Sequence, residues 1–162
     1  MPASLRVVLW NANGLSNHKL ELHAFLDMHK IDIALISETH FTSRPVFKIP
    51  HYTKYHTIHP DDTAHGGAAI ILRSSLRHYE LLHHQSEAIQ AASVRLDIRP
   101  WPLTISAIYC PPASRHIYRR LYHVLPIPGI PIPDRRKLER ETYCLGSTTY
   151  YTKREEPPCR HL

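Results

Sequence analysis

At 162 residues, with 43% apolar and 21% charged side chains, the chain can bury one core and is too apolar to stay disordered. It has no run of about 18 apolar residues, which excludes a membrane-spanning helix, and MPASLRVVLW lacks the basic-then-apolar layout of a secretory leader. A net charge of +6 favours a polyanionic partner, and three cysteines without a CxxC pair (Cys110, Cys144, Cys159) point to a reducing, intracellular compartment, nuclear or cytoplasmic.

Leu5–Trp10 is a β-rich apolar run closed by the turn signal Asn-Ala-Asn-Gly. A helix follows, with Leu20, Leu22, Phe25, Leu26 and Met28 on one broad face and Asn17 as its expected cap. Ile33–Ile36 is a continuous apolar run, as expected of a strand covered on both faces. Tyr52–His59 alternates loosely, and Gly67–Leu72 is another apolar run behind a Gly-Gly. Ala92–Ile98 alternates through Val94, Leu96 and Ile98 as a half-buried strand, and should form a hairpin with Leu103–Tyr109 across Arg-Pro-Trp-Pro. Strands with few helices imply two packed sheets. After Pro112 the character changes: LPIPGIPIP forbids ordinary helix or central strand, and the stretch beyond DRRKLERE has no usable periodicity.

Four features of the first part carry residues suited to chemistry. Trp10-Asn11-Ala12-Asn13-Gly14-Leu15 ends a strand in amide side chains, which is turn chemistry or a site. Ser37-Glu38-Thr39 sets a lone carboxylate at the end of a buried strand, either a capped strand end or a ligand, since burying it unpaired is costly. Hard cations such as Mg²⁺ take one or two such carboxylates plus substrate phosphates. His65-Gly66-Gly67 allows close backbone approach, as a plain turn or a functional loop. Tyr109 leaves a strand just before Pro111-Pro112, where a core tyrosine is the common explanation.

In their order and spacing, WNxNGL, SETH, HGGAAI and IYCPP resemble the endonuclease/exonuclease/phosphatase (DNase I-like) superfamily, and within it the jockey-like branch of non-LTR (LINE) retrotransposon endonucleases. The resemblance covers residues 5–112 and implies an α/β (α+β) fold, a four-layered sandwich of two mixed sheets with helices outside. It implies that Glu38 is the principal ligand of Mg²⁺ (or Mn²⁺), that Asn11 supports the metal and phosphate site, and that Tyr109 positions the scissile phosphate. His65 and Asn13 are implied to face the DNA. The implied reaction is hydrolysis of a phosphodiester in target DNA, whose 3′-hydroxyl primes a covalently linked reverse transcriptase domain.

The resemblance stops at Pro112. The family's later GDxNA-type and Ser-Asp-His motifs do not occur, and the only aspartate after Asp97 is Asp134. A one-base forward shift of permitted codons turns LYHVLPIPGIPIPDRRKLERETYCLG into YITFFQSLGSRFPIAGNLNAKHTAWG, whose GNLNAKH is close to GDFNAKH with Asn for Asp. The frame would change between Pro112 and Tyr118, leaving residues 113–162 poorly ordered and the chain a truncated, inactive copy of low solubility. Two other readings compete: a non-catalytic nucleic-acid-binding remnant, and a metal- or partner-binding protein built on His51, His56, His59 and His65, whose spacings match no ordered zinc pattern.

Overall fold

A computed structural model describes residues 4–44, 47–99 and 102–111, together with the backbone of Thr148–Arg154. Among the described residues, nine strands form two sheets. The first is mixed and contains β1 (Val7–Asn11), β2 (Ile33–Ser37), β3 (Tyr52–Thr57) and β4 (Ala68–Arg73) in the order β1-β2-β4-β3. Strands β1 and β2 run parallel, while β4 runs antiparallel to both β2 and β3. The parallel pair requires a crossover, supplied by a 3₁₀ turn (Leu15–His18) and helix α1 (Lys19–Met28).

The second sheet holds β5 (His78–Glu80), β6 (His84–Gln85), β7 (Gln90–Leu96), β8 (Leu103–Tyr109) and β9 (Thr148–Arg154). Both β5 and β6 pair with β7, β7 pairs with β8, and β8 with β9. Every one of these pairs is antiparallel, so only the first sheet is mixed; the expected β7–β8 hairpin is the reason the second begins that way. In the segment expected to be irregular, Thr148–Arg154 lies along the whole of β8. TTYYTKR is rich in β-forming Thr and Tyr, which suits an added strand whatever its apolar periodicity.

The continuous apolar run of β2 is buried throughout because its two faces serve two cores. Ala34 and Ile36 join Leu22 and Leu26 of α1, with Ala69 and Ile71 of β4. Ile33 and Leu35 point the other way, with Ile70 and Leu72, onto Ala92, Val94, Leu96, Ile105 and Ala107 of the second sheet. A third cluster, Ile89, Ala91, Ile108 and Cys110, lies on the opposite face of the β7–β8 pair. Of the four expected layers, the described residues provide one helix and two sheets.

Helix α1 departs from its expected pattern. Only Leu22 and Leu26, one turn apart, are buried, worth roughly 1.5–3 kcal/mol each. Leu20 and Met28 are 75% and 74% exposed, and Phe25 is 41% exposed. A helix on one sheet face covers only a stripe. Asn17 is not the cap: it lies inside the 3₁₀ turn, and His18 occupies the cap position without a side-chain cap bond. No helix among the described residues is long and apolar enough to cross a membrane.

Candidate functional site

The ends of β1 and β2 are tied to one another beyond their last paired residues. Asn11 stands opposite Ser37 in the parallel register. From there Ala12 N–H donates to the Ser37 carbonyl at 2.9 Å, Gly14 N–H to the Glu38 carbonyl at 2.8 Å, and Leu15 N–H to the Thr39 carbonyl at 3.0 Å. The Asn11-to-Gly14 turn is thereby fixed directly against Glu38. Gly14 has φ +100°, a conformation that favours glycine, and Asn13 is left-handed at φ +42°. Asn11 Oδ1 accepts from Asn13 N–H at 3.2 Å, so this amide closes the turn while its side chain stays exposed.

Glu38 is partly buried and left-handed at φ +52°, which ends β2 at the carboxylate. The Gly66-Gly67 loop completes the enclosure. His40 N–H donates to the Gly66 carbonyl at 3.0 Å, and Thr39 N–H to the Gly67 carbonyl at 3.4 Å. Both glycines have positive φ, and both are packed too tightly for a side chain. A Cβ on Gly66 would lie 2.7 Å from Gln90 Oε1 and 2.8 Å from Tyr109 Cε1, and one on Gly67 would lie 2.6 Å from Thr39 Oγ1. The close-approach reading of the Gly-Gly pair therefore holds.

Tyr109 ends β8 opposite Gln90 and is only 9% exposed. Burial pushes its phenol above the usual tyrosine range, with the Glu38 carboxylate as the next cause and Cys110 after it. The phenol therefore stays protonated at neutral pH, in the electrostatic field of Glu38. Gln90, which the sequence reading passed over, is fully buried; its Oε1 accepts from Gly67 N–H at 3.1 Å and its Nε2 donates to the Ser86 carbonyl at 2.6 Å. A glutamine at the buried start of QAASVRL was the available signal. Thr39 Oγ1 is buried and finds no hydrogen-bond partner among the described residues.

The structure thus gathers Asn11, Asn13, Glu38 and Tyr109 where β1, β2 and β8 end around the Gly66-Gly67 loop. His65, one residue before that loop, is held elsewhere. Its ring packs against His59, tilted by 41° with centroids 3.8 Å apart, and its Nδ1 meets the Thr63 hydroxyl. His59 Nδ1 contacts Asp61 Oδ1 at 2.6 Å. Asp61 is held well below the usual carboxylate range, chiefly by the Thr63 hydroxyl and Thr63 N–H. Of the other two histidines considered with them, His56 packs edge-on to Phe41 at 5.3 Å, and His51 sits in the turn before β3. A basic cavity of about 510 Å³ opens beside β3, with Arg44, Lys48, Lys54 and His56 in its wall.

The chain is 39% identical over 114 residues to the RNA-directed DNA polymerase from mobile element jockey of Drosophila melanogaster, a match covering 70% of this chain and 12% of that protein. It is 33% identical over 125 residues to the corresponding jockey polymerase of Drosophila funebris, covering 75% of this chain and 14% of the relative. It therefore spans a small part of the curated relatives it matches. No protein-family model matches the chain. Among solved structures, it superposes on the AP endonuclease LMAP from Leishmania major with a TM-score of 0.56 and 15% identity, over 74% of this chain and 44% of that one. It superposes on the endonuclease domain of TRAS1, a telomere-specific non-LTR retrotransposon, with a TM-score of 0.53 and 20% identity, over 75% of this chain and 54% of that one. In sequence the chain is similar to the jockey-like non-LTR retrotransposon proteins, and its two-sheet fold is shared with these DNase I-like endonuclease structures.

Proposed function

We propose that residues 5–112 form one wing of a metal-dependent, DNA-cleaving phosphodiesterase site from a non-LTR retrotransposon. The observation that carries this reading is the Tyr109 phenol, packed against Gly66 and protonated in the field of the Glu38 carboxylate, beside the loop to which Thr39 and His40 are bonded. Mg²⁺ (or Mn²⁺) is the group such a site takes, and an oxygen donor set of one carboxylate and one amide at a strand edge fits it. Glu38 would hold the ion, with Asn11 beside it. When bound, the ion supplies charge neutralisation at the phosphate. Tyr109 donates a hydrogen bond to a non-bridging phosphate oxygen, a role that requires the phenol to remain protonated. Asn13 at the site, and His65 in the neighbouring turn before Gly66, contact the DNA backbone. In the element, a nick made there primes reverse transcription by a linked polymerase domain.

Hydrolysis also requires a general base for water. The family's later aspartate and Ser-Asp-His motifs do not occur in these 162 residues, and we infer that residues 113–162 are read out of the family's frame. As a polypeptide of these 162 residues, the protein binds DNA without turning it over. Plasmid nicking in Mg²⁺ tests this: the chain and Glu38→Ala should both leave supercoiled plasmid intact while the chain retards it in a gel. Nicking abolished by Glu38→Ala would overturn the inactivity and establish a complete site. Nicking that survives Glu38→Ala would place the chemistry elsewhere. Failure to retard DNA would remove the nucleic-acid reading altogether.

A further inference from the structure

His59, Asp61 and His65 lie outside the site assembled around Glu38, yet they form the most metal-like group among the described residues. One donor atom from each of the three lies within 4.8 Å of the other two. All three come from the connection between β3 and β4, which doubles back through a turn in which Asp62 N–H donates to the His59 carbonyl at 3.0 Å. The turn explains why spacing along the chain gave no pattern. It folds a His-x-Asp-x-x-x-His segment so that the two imidazoles meet, tilted, at 3.8 Å between centroids beside one carboxylate.

The three donors are unequal in a way that suits a ligand set. His59 is 8% exposed, and its position is fixed by burial. Asp61 is oriented by Thr63, whose N–H and hydroxyl donate to Oδ1 at 2.9 and 2.7 Å; such outer hydrogen bonds aim metal-binding carboxylates. His65 is exposed, and its ring turns toward an ion by giving up one contact, that of its Nδ1 with the Thr63 hydroxyl. Around a tetrahedral zinc ion with bonds of about 2.0–2.1 Å, donors stand about 3.3 Å apart, so the His59–Asp61 pair, in contact at 2.6 Å, must open while donors as far apart as 4.8 Å close by up to about 1.5 Å. Rotations of the two exposed side chains, His65 and Asp61, supply that movement while His59 stays in place.

We propose that His59, Asp61 and His65 bind a borderline-soft divalent transition ion of the zinc class, at a site distinct from the hard-cation position of Glu38. Two imidazoles and one carboxylate select for zinc-class ions over Mg²⁺, which prefers an all-oxygen octahedron. A fourth position faces solvent, because Asp61 and His65 are exposed. His65 immediately precedes Gly66, whose α-carbon packs on Tyr109, so the bound ion would fix the loop that encloses the candidate catalytic groups.

Titrating the full chain with Co²⁺ tests this through the visible absorption of tetrahedral cobalt, with Zn²⁺ added to displace it. The chain should develop the band, and Zn²⁺ should bleach it. His65→Gln and Asp61→Asn, both at exposed positions, should each weaken apparent affinity about tenfold or more. Glu38→Gln should leave affinity unchanged, as should His23→Gln, which disrupts an exposed pair offering only two donors, His23 Nε2 and Asp27 Oδ2, at 3.2 Å. No tetrahedral band, a band that survives His65→Gln, or one lost in Glu38→Gln would each overturn the proposal. Circular dichroism of each variant separates lost binding from lost folding.

Discussion

The α-carbon of Gly66 rests against the ring of Tyr109 so closely that a methyl group there would lie 2.8 Å from Cε1. The same methyl would lie 2.7 Å from Gln90 Oε1, and the residue has φ +61°. Gly66→Ala therefore combines left-handed strain with overpacking and should cost about 2–4 kcal/mol in urea denaturation. A change within 0.5 kcal/mol would mean that the loop does not clamp the tyrosine.

The electrostatic link between Glu38 and Tyr109 can be read without any catalytic assay. Burial is the larger cause of the raised phenol and the Glu38 charge the smaller. Glu38→Gln should therefore lower the Tyr109 titration midpoint while leaving it above the ordinary range. Tyrosine ring-carbon NMR with Tyr109→Phe for assignment measures this; an unmoved midpoint would separate the two groups.

Lys54 on β3 is half-buried, lies 5.1 Å from the ring centroids of both Phe41 and Phe47, and donates to the Phe47 carbonyl at 2.9 Å. Burial lowers its pKa to about 8. The folded state then binds the proton less tightly than the unfolded chain, whose lysine keeps its ordinary value of about 10.4. Stability should rise between about pH 8 and 10, by about 1 kcal/mol after discounting for partial exposure. Lys54→Met should abolish that rise in pH-dependent melts. A rise that persists would assign it to another group.

Val7 and Leu9 of edge strand β1 are 45% and 53% exposed. Their register partners, Ile33 and Leu35, point into the core between the sheets, so these two carry the same face past its cover. Exposed apolar edges promote self-association. Leu9→Lys should reduce association in sedimentation velocity and change stability by no more than about 0.5 kcal/mol. Association unchanged by this charge would locate the sticky surface elsewhere.

The reading-frame inference makes a prediction at the level of the gene. The shifted frame should remain open after Tyr118 and encode a GNLNAKH-like segment. Stops or unrelated sequence in that frame would refute it.

Much of this architecture was legible from the chain because burial on two faces leaves an unmistakable mark. The runs of β2 and β4 are apolar at successive positions, and each feeds two cores. Strand β7 was read as half-buried from Val94, Leu96 and Ile98, but Ala91 and Ser93 are buried too. Small residues hide a second buried face from a polarity pattern, and Ser93 is satisfied there by Ser106 at 2.7 Å. Strands β5 and β6, of three and two residues, are too short to show a period. At the candidate site, Asn11, Glu38 and Tyr109 stood out through the order and spacing of their motifs, since each alone reads equally as a turn, a strand end or a core tyrosine. Gln90 and the turn that folds Asp61 between two histidines depend on tertiary approach, which no local pattern encodes.

In the proposed site, Glu38 anchors a hard divalent cation between the ends of β1 and β8. Mn²⁺ binding followed by electron paramagnetic resonance tests it most directly, in the His65→Gln background so that the imidazole cluster does not contribute. The expected result is one Mn²⁺ site that Mg²⁺ displaces, that Glu38→Gln eliminates and that Asn11→Ala weakens. Mn²⁺ binding of equal strength with and without Glu38 would contradict it.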